Sequence, residues 1–292
     1  MRRFFFTTNY SIYGSLYYLY FTKKECTRLS IVEINNLFFE YKDTSTEDSF
    51  SLTLNQLEIK EGYFTSLIGP NGCGKSTILK LISKILYPQK GRIKFSGVDI
   101  SEIPYKEYAK LIAYVPQSTY PYFPFSVFEI VMMGRTPYLG MLSFENSIDK
   151  KIVEEAMDIL EISHLKLKGI NEISGGEAQR VYIARALAQK PKMILLDEPN
   201  SHLDIEHQIQ IFELLAKLKR EENLTILSVS HDLNLVGIFS EKVFLMNHGQ
   251  LIMHGNTSEV LTEKNIEDIF NVKVKILPSG KSDLYNILIN PV

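Results

Sequence analysis

Cysteine is scarce in this sequence: Cys26 and Cys73 are the only two in a chain of 292 residues. Two cysteines cannot form the dense disulfide framework of a small secreted protein, and such scarcity is typical of a reducing cytoplasm. A surplus of positive charge is also missing, because the formal net charge is −2. Nucleic-acid-binding domains usually carry a basic patch, so we expect no nucleic-acid partner.

No uninterrupted apolar run of membrane-spanning length is present. A spanning helix needs about 20 predominantly apolar residues, whereas the uncharged aromatic stretch 4–21 is broken by threonine, asparagine and serine. Arg2 and Arg3 precede it as in a signal peptide, but no small-residue cleavage site follows. We expect residues 1–29 to be an N-terminal extension that is disordered or that results from a misassigned start, with translation beginning near Leu29. A tail that touches a membrane is the alternative.

A glycine-rich loop is the most specific feature that is present. An apolar strand over residues 65–68 leads into a G-x-x-x-x-G-K-S loop, and a helix with apolar residues from Ile78 to Leu86 follows. Glycines let backbone N–H groups approach an anion, and the helix start adds partial positive charge, so this order predicts a phosphate site. A loop that merely turns the chain is the alternative, and the Lys-Ser pair argues against it. We predict that the nucleotide contacts Gly69, Pro70, Asn71, Gly72, Cys73, Gly74, Lys75, Ser76 and Thr77.

Two polar residues of the loop and two acidic residues have separate predicted roles. Lys75 can reach β- and γ-phosphate oxygens, and Ser76 can ligate Mg²⁺. An apolar strand over residues 193–196 ends in Asp197 and Glu198, at the sheet edge where open α/β sheets bind ligands. We expect Asp197 to hold Mg²⁺ and Glu198 to orient and deprotonate the attacking water. The alternative is an acidic pair on a solvated loop.

A third apolar strand, over residues 224–229, is followed by His231. Because this strand should end at the same edge of the sheet, we expect His231 to contact the γ-phosphate and the water. The other five histidines lack such a placement. We interpret them as ordinary surface or hydrogen-bonded residues: His164, His202, His207, His248 and His254.

Taken in order, these segments resemble the motifs of ABC transporter ATP-binding subunits. "GPNGCGKST" resembles the Walker A motif, "ISGGEAQR" the signature motif, and "MILLDEP" the Walker B motif with its catalytic glutamate. Gln117 in "YVPQ" resembles the Q-loop, Asp204 in "SHLD" the D-loop, and His231 the switch histidine. Tyr41 in "FFEYKD" falls where the adenine-stacking aromatic would lie. The resemblance runs from about Ile31 to the C-terminus.

The resemblance implies an α/β fold. This is a P-loop NTPase core with a mainly parallel sheet, an N-terminal antiparallel β-subdomain and an inserted helical signature subdomain. One ABC ATPase domain would cover residues 30–292, with the helical subdomain at about 118–190. ATP and Mg²⁺ are the implied cofactors, and Gln117 joins Ser76 and Asp197 as an implied metal ligand. The implied catalytic residues are Glu198, His231, Lys75 and Gln117.

The signature motif implies a second copy of the chain. In such proteins two domains meet head to tail, with two ATP molecules between them. Ser174, Gly175 and Gly176 of one copy would cap the γ-phosphate that Lys75 of the other copy holds, and Asp204 would also contact the nucleotide. Because the chain has one motif set, the resemblance implies a two-fold symmetric homodimer. Simple glycine punctuation at a helix start is the alternative.

The motifs depart from the family pattern at four positions. Ile173 stands where leucine is commoner, Glu177 replaces glutamine, Ala178 fills a position that is often basic, and Asn200 replaces threonine. None of these changes removes a group that would contact phosphate.

The middle of the chain predicts a helix and a partner. A helix near residues 147–165 should bury one face, made of Ile148, Ile152, Val153, Ala156, Met157 and Leu160. The aromatic segment before it marks either a binding surface or core packing. In the family this region docks a membrane permease, so the resemblance implies two permease copies and, indirectly, a substrate-binding protein.

Two further segments, "GRTPYLG" and "SHLDIEHQIQIFELLAKLK", resemble the importer subgroup for iron-siderophores, haem and vitamin B12. The implied function is the ATP-binding and ATP-hydrolysing subunit that energises such an importer, at the cytoplasmic face of the cell membrane. We rank iron chelates above cobalamin and haem.

Two other functions are weighed against this one. A soluble ABC ATPase acting as a mechanical switch in translation or DNA repair would usually carry two domains per chain or a coiled-coil insertion. A module that binds ATP without hydrolysis would not need Glu198 and His231, and both are present.

Overall fold

The computed structural model describes residues 29–41, 50–117, 124–140, 145–201, 203–278 and 285–289. Apart from Leu29, the predicted N-terminal extension lies outside the described residues, so its nature stays a prediction. His202 also lies outside them, as do residues 118–123 of the aromatic segment.

Ten strands of the described chain form one sheet, in the order β5-β4-β1-β2-β10-β9-β3-β8-β7-β6. Two more strands form a separate antiparallel hairpin. The strands are β1 Ser30–Glu40, β2 Ser51–Lys60, β3 Phe64–Ile68, β4 Lys90–Phe95, β5 Val98–Asp99, β6 Ile112–Val115, β7 Met193–Asp197, β8 Thr225–Val229, β9 Lys242–Asn247, β10 Gln250–Asn256, β11 Val274–Pro278 and β12 Tyr285–Ile289.

The two halves of the large sheet differ in direction and in burial. Strands β6, β7, β8, β3 and β9 run parallel. Every residue of β3, β7 and β8 is buried, which is why their sequences are mostly apolar. Strands β1, β2, β4 and β5 pair antiparallel, and β2 largely alternates buried and exposed residues. The predicted α/β class, with a parallel core and an N-terminal antiparallel part, is confirmed.

Helices cover the parallel half and fill the interval between β6 and β7. They are α1 Lys75–Ile82, α2 Tyr105–Tyr108, α3 Val127–Met132, α4 Ser147–Ile159, α5 Gly175–Ala188, α6 Ile205–Glu222, α7 Leu233–Phe239, α8 Thr257–Val260 and α9 Glu263–Phe270. Within the described ranges, none of the helices has both the length and the apolar character needed to cross a membrane.

Helix α1 is shorter than the apolar pattern through Leu86 predicted. It ends at Ile82 because Lys84 adopts a left-handed backbone with φ of 61°. The Lys84 ammonium donates to the carbonyl oxygens of Ile100 at 2.7 Å and Ile103 at 2.8 Å. These bonds hold the chain away from the helix axis, and Ile85 is left more than half exposed.

Helix α4 confirms the predicted buried face except at one end. Ile152, Val153, Ala156 and Met157 are buried, but Ile148 is 67% exposed, so its predicted burial was wrong. Ile148 lies in the first turn, where a side chain leans toward the helix N-terminus and past the packed surface.

The "GRTPY" segment locks the helical interval together. A Cβ at Gly134 would collide with the carbonyl oxygen of Arg185 on α5, so the chain can pass this close only without a side chain. Arg135 is buried, and its Nε donates to Asp149 Oδ1 at 2.9 Å while Nη1 donates to the Ala188 carbonyl at 2.7 Å. The segment therefore joins the start of α4 to the end of α5.

The β11–β12 hairpin is attached to α7. Asn234 Oδ1 accepts from the backbone N–H of Ile287 at 2.7 Å, and its Nδ2 donates to the carbonyl of the same residue at 3.3 Å. Ile287 is itself buried in a small apolar cluster with Val236. Helix α7 begins directly after Asp232, so the hairpin rests on the element that follows His231.

Candidate nucleotide-binding site

The glycine-rich loop joins β3 to α1 with an open helix start. Gly69, Gly72 and Gly74 have φ values of 151°, 76° and 102°, which a residue with a Cβ rarely adopts. No side chain caps α1, so the first N–H groups of the helix point into the loop. This is the arrangement that binds phosphate in other proteins.

Lys75 folds over the loop. Its ammonium donates to the carbonyl oxygens of Gly69 at 2.8 Å and Pro70 at 2.9 Å, and it lies 3.9 Å from the sulfur of Cys73. Burial lowers the pKa of Lys75, and burial likewise raises the pKa of the Cys73 thiol. Asn71 and Gly72 are exposed at the tip of the loop.

Asp197, at the end of β7, is buried and held by two hydroxyl groups. Ser76 Oγ donates to Oδ1 at 2.8 Å, and the Tyr114 hydroxyl donates to Oδ2 at 3.1 Å. Burial raises the pKa of Asp197, although both hydrogen bonds oppose the shift. A hydroxyl oxygen and a carboxylate are the hard ligands that Mg²⁺ prefers, so this pair fits the metal. No group of three or more His, Cys, Asp or Glu side chains within the described ranges could hold a metal.

Tyr114 did not emerge from the sequence as a site residue. It lies on β6, which pairs with β7 in a register that aligns Tyr114 with Leu195. Burial, followed by the nearby charge of Asp197, raises the pKa of Tyr114 well above its ordinary value, so the phenol stays protonated and donates. The only available signal was the position of Tyr114 three residues before Gln117.

Three predicted catalytic residues meet at one carboxylate. Gln117 Nε2 donates to Glu198 Oε2 at 2.6 Å, and His231 Nε2 lies 2.6 Å from Glu198 Oε1. Glu198 has a φ of 50°, a strained backbone of the kind that clusters at functional sites. The loops after β6, β7 and β8 thus converge at the carboxyl edge of the sheet, as predicted for parallel strands.

Tyr41 lies beside the loop at the end of β1. Its hydroxyl is 3.4 Å from Thr77 Oγ1, and its ring packs edge-on against Phe39. Phe50 lies 6.3 Å away between ring centroids and covers Gly74, where a Cβ would come within 2.7 Å of its ring. Phe50 is a second residue that the sequence did not single out, because its role depends on contact with a distant glycine.

The signature residues are not brought to this loop. Ser174 caps α5 and forms a reciprocal pair with Glu177: its backbone N–H and hydroxyl donate to Glu177 Oε2 at 2.7 and 2.8 Å. These two bonds lower the pKa of Glu177. Ser174, Gly175 and Asp204 are exposed. Their described side-chain bonds reach only neighbours in sequence, so a single chain does not join them to Lys75.

A family model described as "ABC transporter" matches residues 52–201, which is about half of the chain. The match includes the glycine-rich loop and Gln117. It also includes the signature turn, Ser174 to Gly176, and the acidic pair Asp197 and Glu198. This chain belongs to the ABC transporter family. The family assignment agrees with the order of the motifs along the chain. It also agrees with the ends of β6, β7 and β8, which meet at one edge of the sheet.

Curated relatives and solved structures agree with this assignment. The ferric enterobactin transport ATP-binding protein FepC of Escherichia coli is 36% identical over 76% of this chain and 82% of its own length. The iron(3+)-hydroxamate import ATP-binding protein FhuC of Bacillus subtilis is 37% identical over 78% and 84%. A petrobactin import ATP-binding protein, FatE of Bacillus anthracis, is 36% identical over 78% and 92%.

Two solved structures show the same fold. A metal-chelate type ABC transporter in an inward-facing conformation has a TM-score of 0.78 and 29% identity, over 90% of this chain and 98% of the other. A dimeric ATP-binding cassette with bound ADP and phosphate has a TM-score of 0.67 and 30% identity, over 77% and 98%.

The ABC transporter assignment settles the general activity of the chain. It is an ATP-binding subunit that hydrolyses ATP to energise an importer, as the sequence predicted. Subunits of this kind work with membrane permeases. A soluble ATPase acting in translation or DNA repair is not favoured.

Proposed function

We propose that this ABC transporter subunit energises the import of iron-siderophore complexes. Support comes from the three relatives described above, which are named for ferric enterobactin transport, iron(3+)-hydroxamate import and petrobactin import. Cobalamin and haem are ranked lower because none of those three is named for them. The domain would span residues 30–292, with its helical subdomain at about 118–190.

ATP is the substrate, and the phosphate groups would lie on the loop from Gly69 to Thr77. The open start of α1 and the Lys75 ammonium offer positive charge to the phosphates. Tyr41 would stack on the adenine, since it lies beside Thr77 at the rim of the loop. Ser76, Asp197 and Gln117 would hold Mg²⁺. When bound, Mg²⁺ offsets the charge of the β- and γ-phosphates.

The cluster of Gln117, Glu198 and His231 carries the catalytic proposal. Glu198 would accept a proton from the attacking water, and its two hydrogen-bonding partners fix the orientation of the carboxylate. His231 would contact the γ-phosphate and the water from the end of β8. Gln117 would link this site to the permease, because the segment after it leads into the helical interval.

A homodimer would complete the site. Ser174, Gly175 and Gly176 form a second helix start, at which Ser174 and Gly175 are exposed, and such a start favours an anion. Among the described residues this turn has no bond to the loop, so its nucleotide would be the one bound by a second copy. Asp204 would contact the nucleotide at the same interface.

The remaining partners follow from this assembly. Two copies of a permease would receive the dimer at the cytoplasmic face of the membrane, where this chain would be peripheral. A substrate-binding protein would deliver the cargo to the permease, and no nucleic acid would take part.

Uptake in the native host tests the proposal. A strain with the gene disrupted should lose uptake of a radiolabelled ferric hydroxamate, and the wild-type gene should restore it. Glu198→Gln should not restore it, whereas His254→Ala, which changes an exposed histidine on β10, should. Unchanged iron uptake after disruption, or loss of labelled cobalamin uptake alone, would refute the cargo assignment.

A further inference from the structure

His207 lies beside the signature turn, although the sequence suggested only an ordinary surface or hydrogen-bonded histidine. It lies in the first turn of α6, three residues after the cap Asp204. Asp204 Oδ1 accepts from the backbone N–H of His207 at 2.9 Å and lies 2.6 Å from its Nδ1. Because a carboxylate only accepts, Nδ1 carries the proton, and both the tautomer and the ring orientation are fixed.

The fixed ring lies directly over Gly176. A Cβ built on Gly176 would come within 2.6 Å of His207 Cδ2 and 3.0 Å of Cγ, closer than real Cβ contacts allow. Gly176 is buried, whereas its neighbour Gly175 is exposed. Among the described residues, a Cβ built on Gly175 would meet Leu203 alone, at 3.9 Å. The second glycine of the signature motif is therefore required by a contact inside the chain.

A second link binds the same two helices one turn further on. Arg180 of α5 donates from Nη2 to Gln210 Oε1 of α6 at 2.7 Å. Gln210 in turn donates to Glu206 Oε1 at 3.1 Å. The first two turns of α5 and α6 are thus linked at two points, by His207 over Gly176 and by Arg180 with Gln210.

We propose that His207 is a positioning residue that fixes the signature turn, Ser174 to Gly176, relative to Asp204. The inference rests on the proposed homodimer, in which both segments face the nucleotide of the other copy. His207 would touch no phosphate. It would set the distance between the two segments, so that one copy presents them to its partner together.

The test measures dimer formation separately from nucleotide binding. Glu198→Gln serves as the parent, because slow hydrolysis should preserve the ATP-bound dimer. His207→Ala should weaken ATP-dependent dimerisation about tenfold in analytical ultracentrifugation, the size of effect expected from a lost positioning contact. Binding of a fluorescent ATP analogue to the monomer's own loop should stay within about twofold. His254→Ala, at an exposed histidine on β10, is the matched control.

A double substitution distinguishes positioning from general structural support. Gly176→Ala should weaken dimerisation in the parent because the new Cβ meets the His207 ring. In the His207→Ala background the same change should cost several-fold less, since the ring is gone. Equal costs in both backgrounds, or full dimerisation of His207→Ala, would overturn the proposal.

Two further outcomes are informative. If His207→Ala does not fold, His207→Phe keeps a ring over Gly176 without the side-chain bond to Asp204. It should then dimerise more weakly than the parent while binding the analogue normally, and unchanged dimerisation would contradict a role for the bond. If the parent itself forms no dimer with ATP, the proposed homodimer fails, and this inference fails with it.

Discussion

The glycine-rich loop and the signature turn are both glycine-containing helix starts, yet their surroundings differ. Around the loop, bonds join residues far apart in sequence: Ser76 and Asp197 are separated by 121 positions. Gln117 and His231 both reach Glu198. At the signature turn, the described bonds of the Ser174 side chain reach only Glu177, three residues away. We propose that one helix start binds nucleotide within a single chain, whereas the other binds the nucleotide of a second copy.

Replacement of Glu198 should give the largest effect on the first region. Glu198→Gln keeps the side-chain shape but cannot accept the proton, so steady-state phosphate release should fall by about 10³-fold. ATP binding should persist, measured with a fluorescent analogue. Glu177→Gln is the matched control at the signature turn and should retain most turnover. Normal phosphate release by Glu198→Gln would remove Glu198 from the role of base.

Substitutions in the glycine-rich loop and in the signature turn should differ in their effect on the Kd for ATP. Hydrogen bonds to charged groups contribute about 1.5–3 kcal/mol, so Lys75→Ala should raise the Kd for ATP about 100-fold. Ser174→Ala should leave the Kd of the monomer unchanged, because Ser174 would serve the nucleotide of the other copy. Lys60→Ala, at an exposed ion pair with Glu58, controls for loss of a positive charge. Equal weakening by Ser174→Ala would contradict the comparison.

Replacement of Tyr114 should weaken Mg²⁺ binding more than it weakens ATP binding. Groups that orient a metal ligand typically change metal affinity about 10–100-fold, and Tyr114→Phe removes the bond to Asp197 Oδ2. We expect the Mg²⁺ concentration for half-maximal ATPase activity to rise about tenfold, while ATP binding in EDTA stays unchanged. Tyr108→Phe also removes a buried hydroxyl, one that donates to the Ile82 carbonyl. It should have no effect on Mg²⁺ dependence.

The smallest expected effect is a gain in stability at the first region. The pKa of Asp197 is raised by burial, so its protonated form favours folding and this contribution is lost as pH rises through the folded-state pKa. Asp197→Asn cannot ionise and should unfold at a higher temperature than wild type at neutral pH. The difference should shrink as the pH falls through the folded-state pKa of Asp197, because the wild-type carboxyl then also becomes neutral. A Tm difference that is independent of pH would reject this account.

The sequence was most informative where a site depends on a short run of residues. The loop from Gly69 to Thr77 could be predicted because backbone geometry, helix start and lysine all lie within nine positions. The convergence of Gln117, Glu198 and His231 could also be predicted, since parallel strands end at one edge of a sheet.

Other features depend on packing that no local pattern encodes. Tyr114 reaches Asp197 because β6 pairs with β7 in one register, and His207 covers Gly176 because α5 lies beside α6. Ile148 follows the helical spacing but lies beyond the packed surface. Periodicity identifies a face of a helix, but it does not say how far along the helix the neighbouring elements extend.

Because the β11–β12 hairpin is attached to α7, its motion would report the motion of the segment that follows His231. Both the oxygen and the nitrogen of the Asn234 side-chain amide bond to the backbone of Ile287. The hairpin should therefore move with α7 whenever the segment after His231 moves. Leu288 is exposed on the same strand and could carry a fluorescent label without entering the nucleotide site. A small rotation of α7 near the γ-phosphate would then be measured as a change in the fluorescence emission of the label at the protein surface.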